Sequence, residues 1–358
     1  MLRNRIIYKL PYIPMHGSMV KVWSPELPWV QAGAAPEEGE SLLLFPSAYR
    51  KPGAAMHCSQ AAFMKNWRAL SGGLLDDLEW EKLNLLVAGG AIVACLNLDV
   101  AEDATVEERA AKLNADPMVG KDIDIFFPGT NASDLQKLLQ ELVNHFTKKF
   151  GHNVAVFMTS RTLTIVPPKP YRRLQFALGT AKSFYDVILN ADVDCASVGF
   201  DGRDVWMTGR GYLSWRYRMN VPQHDLHRIR GSPTYEKRLL KYARRGFSVL
   251  NIDVPANDEK VLQAVKALGA NPRLQQLKGL LWLLAVERTS AQPKLSNAND
   301  ALTYWDEAPD SATIGELVET VIAGGYAESD NYGQHEEGYM VCLAPDSPHE
   351  SKIDNYQY

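Results

Sequence analysis

Cysteine is scarce in this chain: four residues in 358, at Cys58, Cys95, Cys195 and Cys342, with no Cys-x-x-Cys spacing. That excludes a disulfide-stapled scaffold and a zinc knuckle. Cys95 and Cys195 stand in apolar surroundings and read as buried free thiols, which fits a reducing, cytoplasmic setting. A basic excess is also missing: 38 Lys and Arg stand against 42 Asp and Glu, a net charge of −4, with a pI near 6.1. Bulk coating of nucleic acid is therefore not expected. No apolar run reaches the length of a bilayer span, so no membrane partner is expected. The start, Met1 to Tyr8, is basic but lacks a sustained apolar core, so no signal peptide is expected either. A Gly-x-Ser-x-Gly nucleophile turn, a Gly-x-Gly-x-x-Gly dinucleotide loop and internal repeats are all absent.

What is present is enough apolar material, 46% of the residues, for a large core and two domains. Composition divides the chain into an irregular arm at 1–58, a mixed domain at 59–230, a helical region at 231–327 and an acidic, Tyr-rich tail at 328–358. Pro, Gly and Ala dominate the arm, which packs through Trp23, Trp29, Phe45 and Tyr49. In the mixed domain, helices are expected at Ser59–Leu70 and Leu74–Asn84. The charged stretch Ala101–Arg109 reads as a surface insertion with a short helix. Ser133 to Phe150 is the clearest helix, with Leu135, Leu138, Leu139, Leu142, Val143, Phe146 and Phe150 on one face. Ser133 with Gln136 reads as its capping box and Gly151 as its stop. Strands follow at Asn153–Thr159, Thr162–Pro167, Arg173–Leu178 and Val193–Phe200, with a helix at Ala181–Leu189. A turn at Asp201-Gly202 leads to Val205-Trp206-Met207. Further helices are expected at Thr234–Arg245, Glu259–Leu268, Arg273–Arg288 and Thr313–Ala323. The fold class is α+β, a mixed β-sheet core with flanking helices and a C-terminal helical layer.

Two short stretches carry chemistry. In Lys121-Asp122-Ile123-Asp124-Ile125-Phe126-Phe127, strand geometry sends Asp122 and Asp124 to one face and Ile123, Ile125 and Phe127 to the other. Adjacent carboxylates repel, and a hard divalent cation such as Mg²⁺ relieves that cost. Upstream, Ala88-Gly89-Gly90-Ala91 opens a helix. Glycines there let the backbone approach a phosphate, and a helix N-terminus favours an anion.

In that order, Val87-Ala88-Gly89-Gly90 and Asp122-Ile123-Asp124 resemble the nucleotidyltransferase fold of the polymerase-beta-like superfamily. The likeness extends over roughly Leu83 to Gly246, and the helix from Tyr235 to Phe247 resembles a segment found in some fungal and phage nucleotidyltransferase-like proteins. It implies that Gly89 and Gly90 cradle phosphate, that Asp122 and Asp124 bind Mg²⁺, and that a nucleoside triphosphate is the substrate. The nucleotidyl group would pass to a hydroxyl on a protein, a small molecule or an RNA end. One departure is the spacing, since 122 − 90 = 32 positions separate Gly90 from Asp122. A second concerns the further acid that active members carry on a neighbouring strand, where this chain has Gln175. Asp192 and Asp194, in a second Asp-x-Asp, are the alternative acids, with Asp192 the first choice. Asp192 also suits a turn cap.

The helix around Tyr235–Gly246 places Lys237, Lys241 and Arg244 on one face. It reads either as a solvated basic face or as a phosphate contact, in which case Lys241 steadies the triphosphate. Arg172, Arg173 and Trp215-Arg216-Tyr217-Arg218 interleave cations with aromatics, which suits stacking bases and holding phosphates but more commonly marks a strand with one packed and one wet face. His224 and His227 read as ordinary polar residues. Two function classes stay open: an active nucleotidyltransferase, or a degenerate one retained as a structural or interaction protein. The second class would grip a protein partner through its termini, on a fungal or viral assembly or as a virion-associated component.

Overall fold

A computed structural model describes residues 19–24, 43–45, 56–116, 119–120, 122–159, 161–179, 181–223, 226, 233–251, 263, 278–289 and 338–342. The arm, the tail, the helices expected at Glu259–Leu268 and Thr313–Ala323, and His224 and His227 lie wholly or largely outside the described residues. Along the chain the elements are β1 (Val20–Lys21), β2 (Leu43–Leu44), α1 (Gln60–Ser71), β3 (Leu86–Ala88), α2 (Gly90–Leu96), α3 (Val106–Ala115) and β4 (Asp122–Phe126). Next come α4 (Ala132–Phe150), β5 (Ala155–Thr159), β6 (Thr162–Val166), β7 (Arg173–Ala177), α5 (Phe184–Leu189) and β8 (Val198–Phe200). The remainder are β9 (Val205–Met207), α6 (Gly209–Tyr217), β10 (Met219–Asn220), α7 (Thr234–Ala243), β11 (Ser248–Leu250), α8 (Leu280–Thr289) and β12 (Gly338–Cys342).

The chain forms two compact units that interleave in sequence. The first comprises residues 1–60, 188–198 and 205–296, and the second 61–187, 199–204 and 297–358. The continuous 59–230 segment therefore contributes to both units, and the boundary falls inside β8.

The second unit holds a mixed sheet in the order β8-β3-β4-β7-β6-β5-β12. Neighbours are antiparallel except for β4 and β7, which run parallel. Alternation is the reason these segments are strands. In β4, Ile123 and Ile125 are fully buried while Asp122 and Asp124 stay partly exposed; in β7, Leu174 and Phe176 are buried between Arg173, Gln175 and Ala177. Phe127 and Phe176 stack with ring centroids 6.0 Å apart. Helix α4 buries Leu135, Leu139, Leu142, Val143 and Phe146, and Gly151 ends it at φ +61. The cap is Asn131, two residues earlier than Ser133, because its side chain accepts the Asp134 N–H at 2.9 Å.

Other local expectations change in this unit. Residues 72–84 form successive turns, not a helix. Gly72 and Gly73, at φ +61 and +71, end α1 with backbone that a right-handed helix cannot continue. The Ala101–Arg109 insertion does carry a helix start, with Thr105 and Glu108 forming a capping box at the head of α3. It lies on the surface as expected, with Ala101, Glu102, Asp103, Thr105, Glu107 and Glu108 exposed, and one buried side chain anchors it. Arg109 is 1% exposed and donates from Nη1 to Asn66 Oδ1 (2.6 Å), from Nη2 to the carbonyls of Ala101 (3.0 Å) and Glu102 (2.8 Å), and from Nε to Ala104 O (2.9 Å). Asn66, itself buried, donates to Cys95 O at 2.8 Å at the end of α2. Arg172 pins the other end of the insertion through Gly120 O and Asn114 Oδ1. Two buried arginines thus tie the insertion to the elements that flank Gly89 and Asp122.

The first unit contains the β1–β9 pair, a three-stranded β10-β11-β2 sheet, and helices α6, α7 and α8. Here the expected strand from Val193 is broken. Residues 194–196 make a tight 3-10 turn and only Val198–Phe200 is strand. Asp194 explains the break, because its carboxylate takes the Val221 N–H (2.8 Å) and Arg210 Nη1 (3.2 Å), groups a straight strand would not reach. Trp215-Arg216-Tyr217 is helical, not extended. Thr208 caps α6 through Gly211 N, and buried Trp215 donates Nε1–H to Cys195 O at 3.0 Å.

Candidate nucleotide-binding site

The site is built where β3 gives way to Gly89. Gly89 has φ +76 and ψ −132, a conformation that an L side chain adopts only with strain, and it lies between buried Ala88 and the first residue of α2. Strand β4 runs antiparallel to β3, with Val87 opposite Ile125 and Leu86 opposite Phe126. That register brings Asp124 to the turn: a Cβ at Gly89 would lie 4.0 Å from Asp124 Oδ2. Among the described residues, and apart from the chain neighbours, only Asp124 comes within 4.0 Å of that Cβ position. Helix α2 has seven residues, about two turns, so its dipole adds little and the glycine turn is the main contributor.

Asp122 and Asp124 share one face of β4, as the alternation requires. The parallel ladder then sets Arg173 beside Asp122 and Gln175 beside Asp124. Arg173 Nε lies 3.0 Å from Asp122 Oδ1, with the two side chains 13% and 19% exposed, so this pair belongs to the face and is only lightly solvated. Gln175 Nε2 donates to Thr162 Oγ1 at 3.4 Å on the next strand, which is near the limit of a hydrogen bond. The face therefore runs from two acids to a guanidinium and a neutral amide. Sequence marks Arg173 as a candidate cation but does not show its ion pair with Asp122. The signal was there in Arg-Leu-Gln, which repeats the polar-apolar-polar alternation of Asp-Ile-Asp on a strand that pairs with it in parallel.

The donor set suits one divalent ion. Asp122 and Asp124 offer hard carboxylate oxygens on one surface, the chemistry Mg²⁺ favours. It does not suit two. Among the described residues no group of three or more His, Cys, Asp or Glu is arranged to hold a metal.

The remaining sequence candidates lie in the first unit. Asp192 is 4% exposed and forked by Arg238, whose Nη2 donates to Oδ1 at 3.0 Å and whose Nε meets Oδ2. Asp194 is held by Arg210 and Val221 N, and burial pushes its carboxyl above the usual carboxylate range. Within this unit both buried acids pair with half-buried arginines. Lys241 and Lys237 are half-buried on α7 and Arg244 is exposed. Deeper on the same helix, burial pushes the Tyr242 hydroxyl up to about 12.

Comparison with known proteins gives three kinds of likeness. The sequence profile of the Gabija anti-defense 2 family matches residues 61–214. A curated relative, uncharacterized protein R883 of Acanthamoeba polyphaga mimivirus, is 29% identical over 154 residues, covering 39% of this chain and 32% of its own length. The chain thus spans about a third of that relative. Among solved structures, a tRNA-processing enzyme in an apo form aligns with a TM-score of 0.31 at 17% identity, over 61% of this chain and 51% of its own. A CCA-adding enzyme in complex with CTP aligns at 0.33 and 14%, over 64% and 48%. No helix among the described residues is long and apolar enough to cross a membrane.

Proposed function

We propose that this chain is a viral anti-defense protein that works through a nucleotidyltransferase-like site binding a nucleoside triphosphate. The observation that carries the reading is the turn where Gly89 at φ +76 meets Asp124 Oδ2. The anti-defense setting is supported by the family profile over 61–214 and by the mimivirus relative. Gly89 leaves room for a phosphate against the backbone, and Asp122 with Asp124 would hold one Mg²⁺. The ion, when bound, offsets phosphate charge and orients the triphosphate. Arg173 pairs with Asp122 and fixes its carboxylate on the face.

Transfer makes a further demand. The acceptor oxygen bonds the α-phosphorus, pyrophosphate leaves, and the hydroxyl proton needs a base. Gln175 stands beside Asp124 in register, and an amide cannot take that proton. This observation favours a second reading, in which the fold binds a nucleotide as an interaction protein and transfers nothing. A protein, a small molecule and an RNA end all remain acceptor classes for the active case.

Thermal unfolding with ATP, GTP, CTP and UTP, each with and without Mg²⁺, tests nucleotide binding. A bound triphosphate stabilises the chain by roughly 2–4 kcal/mol at concentrations far above Kd. Asp124→Ala should abolish that shift while leaving the unliganded midpoint nearly unchanged, because Asp124 is partly exposed. Transfer of α-labelled nucleotide to protein or RNA separates the two readings. No shift with any of the four nucleotides would overturn both.

A further inference from the structure

The candidate face carries two carboxylates and one guanidinium, and the backbone fixes their arrangement. The β4–β7 ladder sets Arg173 next to Asp122 and Gln175 next to Asp124, so neither can leave the face without breaking the parallel register. Arg173 spends Nε on Asp122 Oδ1, at 3.0 Å. Among the described residues its guanidinium makes no other polar contact, which leaves two terminal amino groups as donors. With only 13% of the side chain exposed, these donors lie in the face and do not extend into bulk water. A guanidinium keeps its charge at any working pH, and its planar fork matches phosphate oxygens.

We propose that Arg173 is the second cation of this site: it takes phosphate oxygens of the triphosphate through its terminal amino groups, and the nucleotide binds with one divalent ion, not two. This rests on the nucleotide-binding reading above. The physical reason is charge balance. Asp122 already shares its charge with Arg173, and a second divalent ion placed there would face a fixed positive charge a few ångströms away. Gln175 offers no compensating anion. Asp122 then has two duties, as a ligand of the single ion and as the residue that orients Arg173.

Equilibrium dialysis of the full chain against Mn²⁺, with each of ATP, GTP, CTP and UTP, counts ions bound per chain, and calorimetry gives triphosphate affinity. One Mn²⁺ per wild-type chain is expected at saturating triphosphate. Arg173→Gln should weaken triphosphate binding about 10–100-fold, the loss of a charged donor pair. The same variant should bind Mn²⁺ alone more tightly, because the positive charge beside Asp122 is removed; a merely structural arginine would not produce that opposite pair of changes. Gln175→Glu with Arg173→Gln should raise the count to two. If Arg173→Gln unfolds, Arg173→Lys keeps the charge without the fork and should give an intermediate loss. Two Mn²⁺ per wild-type chain, or unchanged triphosphate affinity in the folded Arg173 variants, would overturn the proposal while leaving nucleotide binding in place. No triphosphate binding with or without Mn²⁺ would overturn the underlying reading and this proposal together.

Discussion

Replacing Arg109 with Met tests whether the insertion before Asp122 is structural or ornamental. Methionine keeps most of the apolar stem volume and removes the guanidinium. Four donated hydrogen bonds disappear: one to Asn66 Oδ1 at 2.6 Å in the interior, and three to the carbonyls of Ala101, Glu102 and Ala104. Asn66 is fully buried, so its carbonyl oxygen loses its donor where water cannot replace it, at a cost of about 1–3 kcal/mol. The three backbone carbonyls are only part-buried and recover partly with water, at under about 1 kcal/mol each. Relief of guanidinium desolvation offsets some of the sum. The net loss should be about 3 kcal/mol, which moves a urea midpoint by about 1 M for a typical unfolding slope. Arg109→Lys should recover part of this, since an ammonium can satisfy some of the acceptors. Combining Arg109→Met with Asn66→Ala should show coupling of at least about 1 kcal/mol, as expected for direct partners. A loss in Arg109→Met below about 0.5 kcal/mol, the scale of surface substitutions, would refute the reasoning and restore the insertion to a surface decoration.

Further outcomes follow from the same packing. Gly89→Ala introduces no clash, since its nearest new neighbour is Asp124 Oδ2 at 4.0 Å, but it must hold φ +76; denaturant unfolding should show a loss of about 1–2 kcal/mol, with weaker triphosphate binding in calorimetry. Gly202→Ala should be worse than Gly89→Ala in the same unfolding assay, because the Cβ would lie 2.7 Å from the Trp80 ring. His57 sits between the Trp23 and Trp215 rings and donates from Nδ1 to Cys58 O, and burial lowers its pKa from 6.5 to about 4. The folded state therefore disfavours the proton. The contribution is complete above pH 6.5 and is lost as pH falls toward 4, by about 3 kcal/mol in all. Tryptophan-monitored unfolding against pH should show that slope, and His57→Gln should flatten it.

Local pattern by itself determined the elements that build the candidate site. The alternation in Asp122-Ile123-Asp124-Ile125 is a period-two signal, and it placed both acids on one face before any partner strand was known. The apolar stripe of α4 is a period of 3.6 over many turns, and it survived even though the cap moved from Ser133 to Asn131. The glycines mark the turn, and at Gly89 the positive φ excludes most other residues. These signals are legible because each depends on residues a few positions apart.

Other features depended on contacts distant in sequence. Leu74–Asn84 carries enough apolar residues to suggest a helix, yet Gly72 and Gly73 break α1, and Leu74 and Leu75 are buried from turns. Trp215-Arg216-Tyr217 looked extended until the burial of Trp215 against Cys195 O made it a helix. Asp192 suits a catalytic acid or a turn cap by sequence, and in the folded first unit it is buried and paired with half-buried Arg238. Most consequential is the pairing of β4 with β7. Which residue stands beside Asp122 and Asp124 is set by the register of two parallel strands, and a shift of one position would have turned Leu174 to that face and sent Arg173 and Gln175 to the other. Sequence supplied the two carboxylates. Only the tertiary ladder decided that their neighbours are a guanidinium and an amide, because the free energy that fixes register comes from burying Ile123, Ile125, Leu174 and Phe176 together on the opposite side of the sheet.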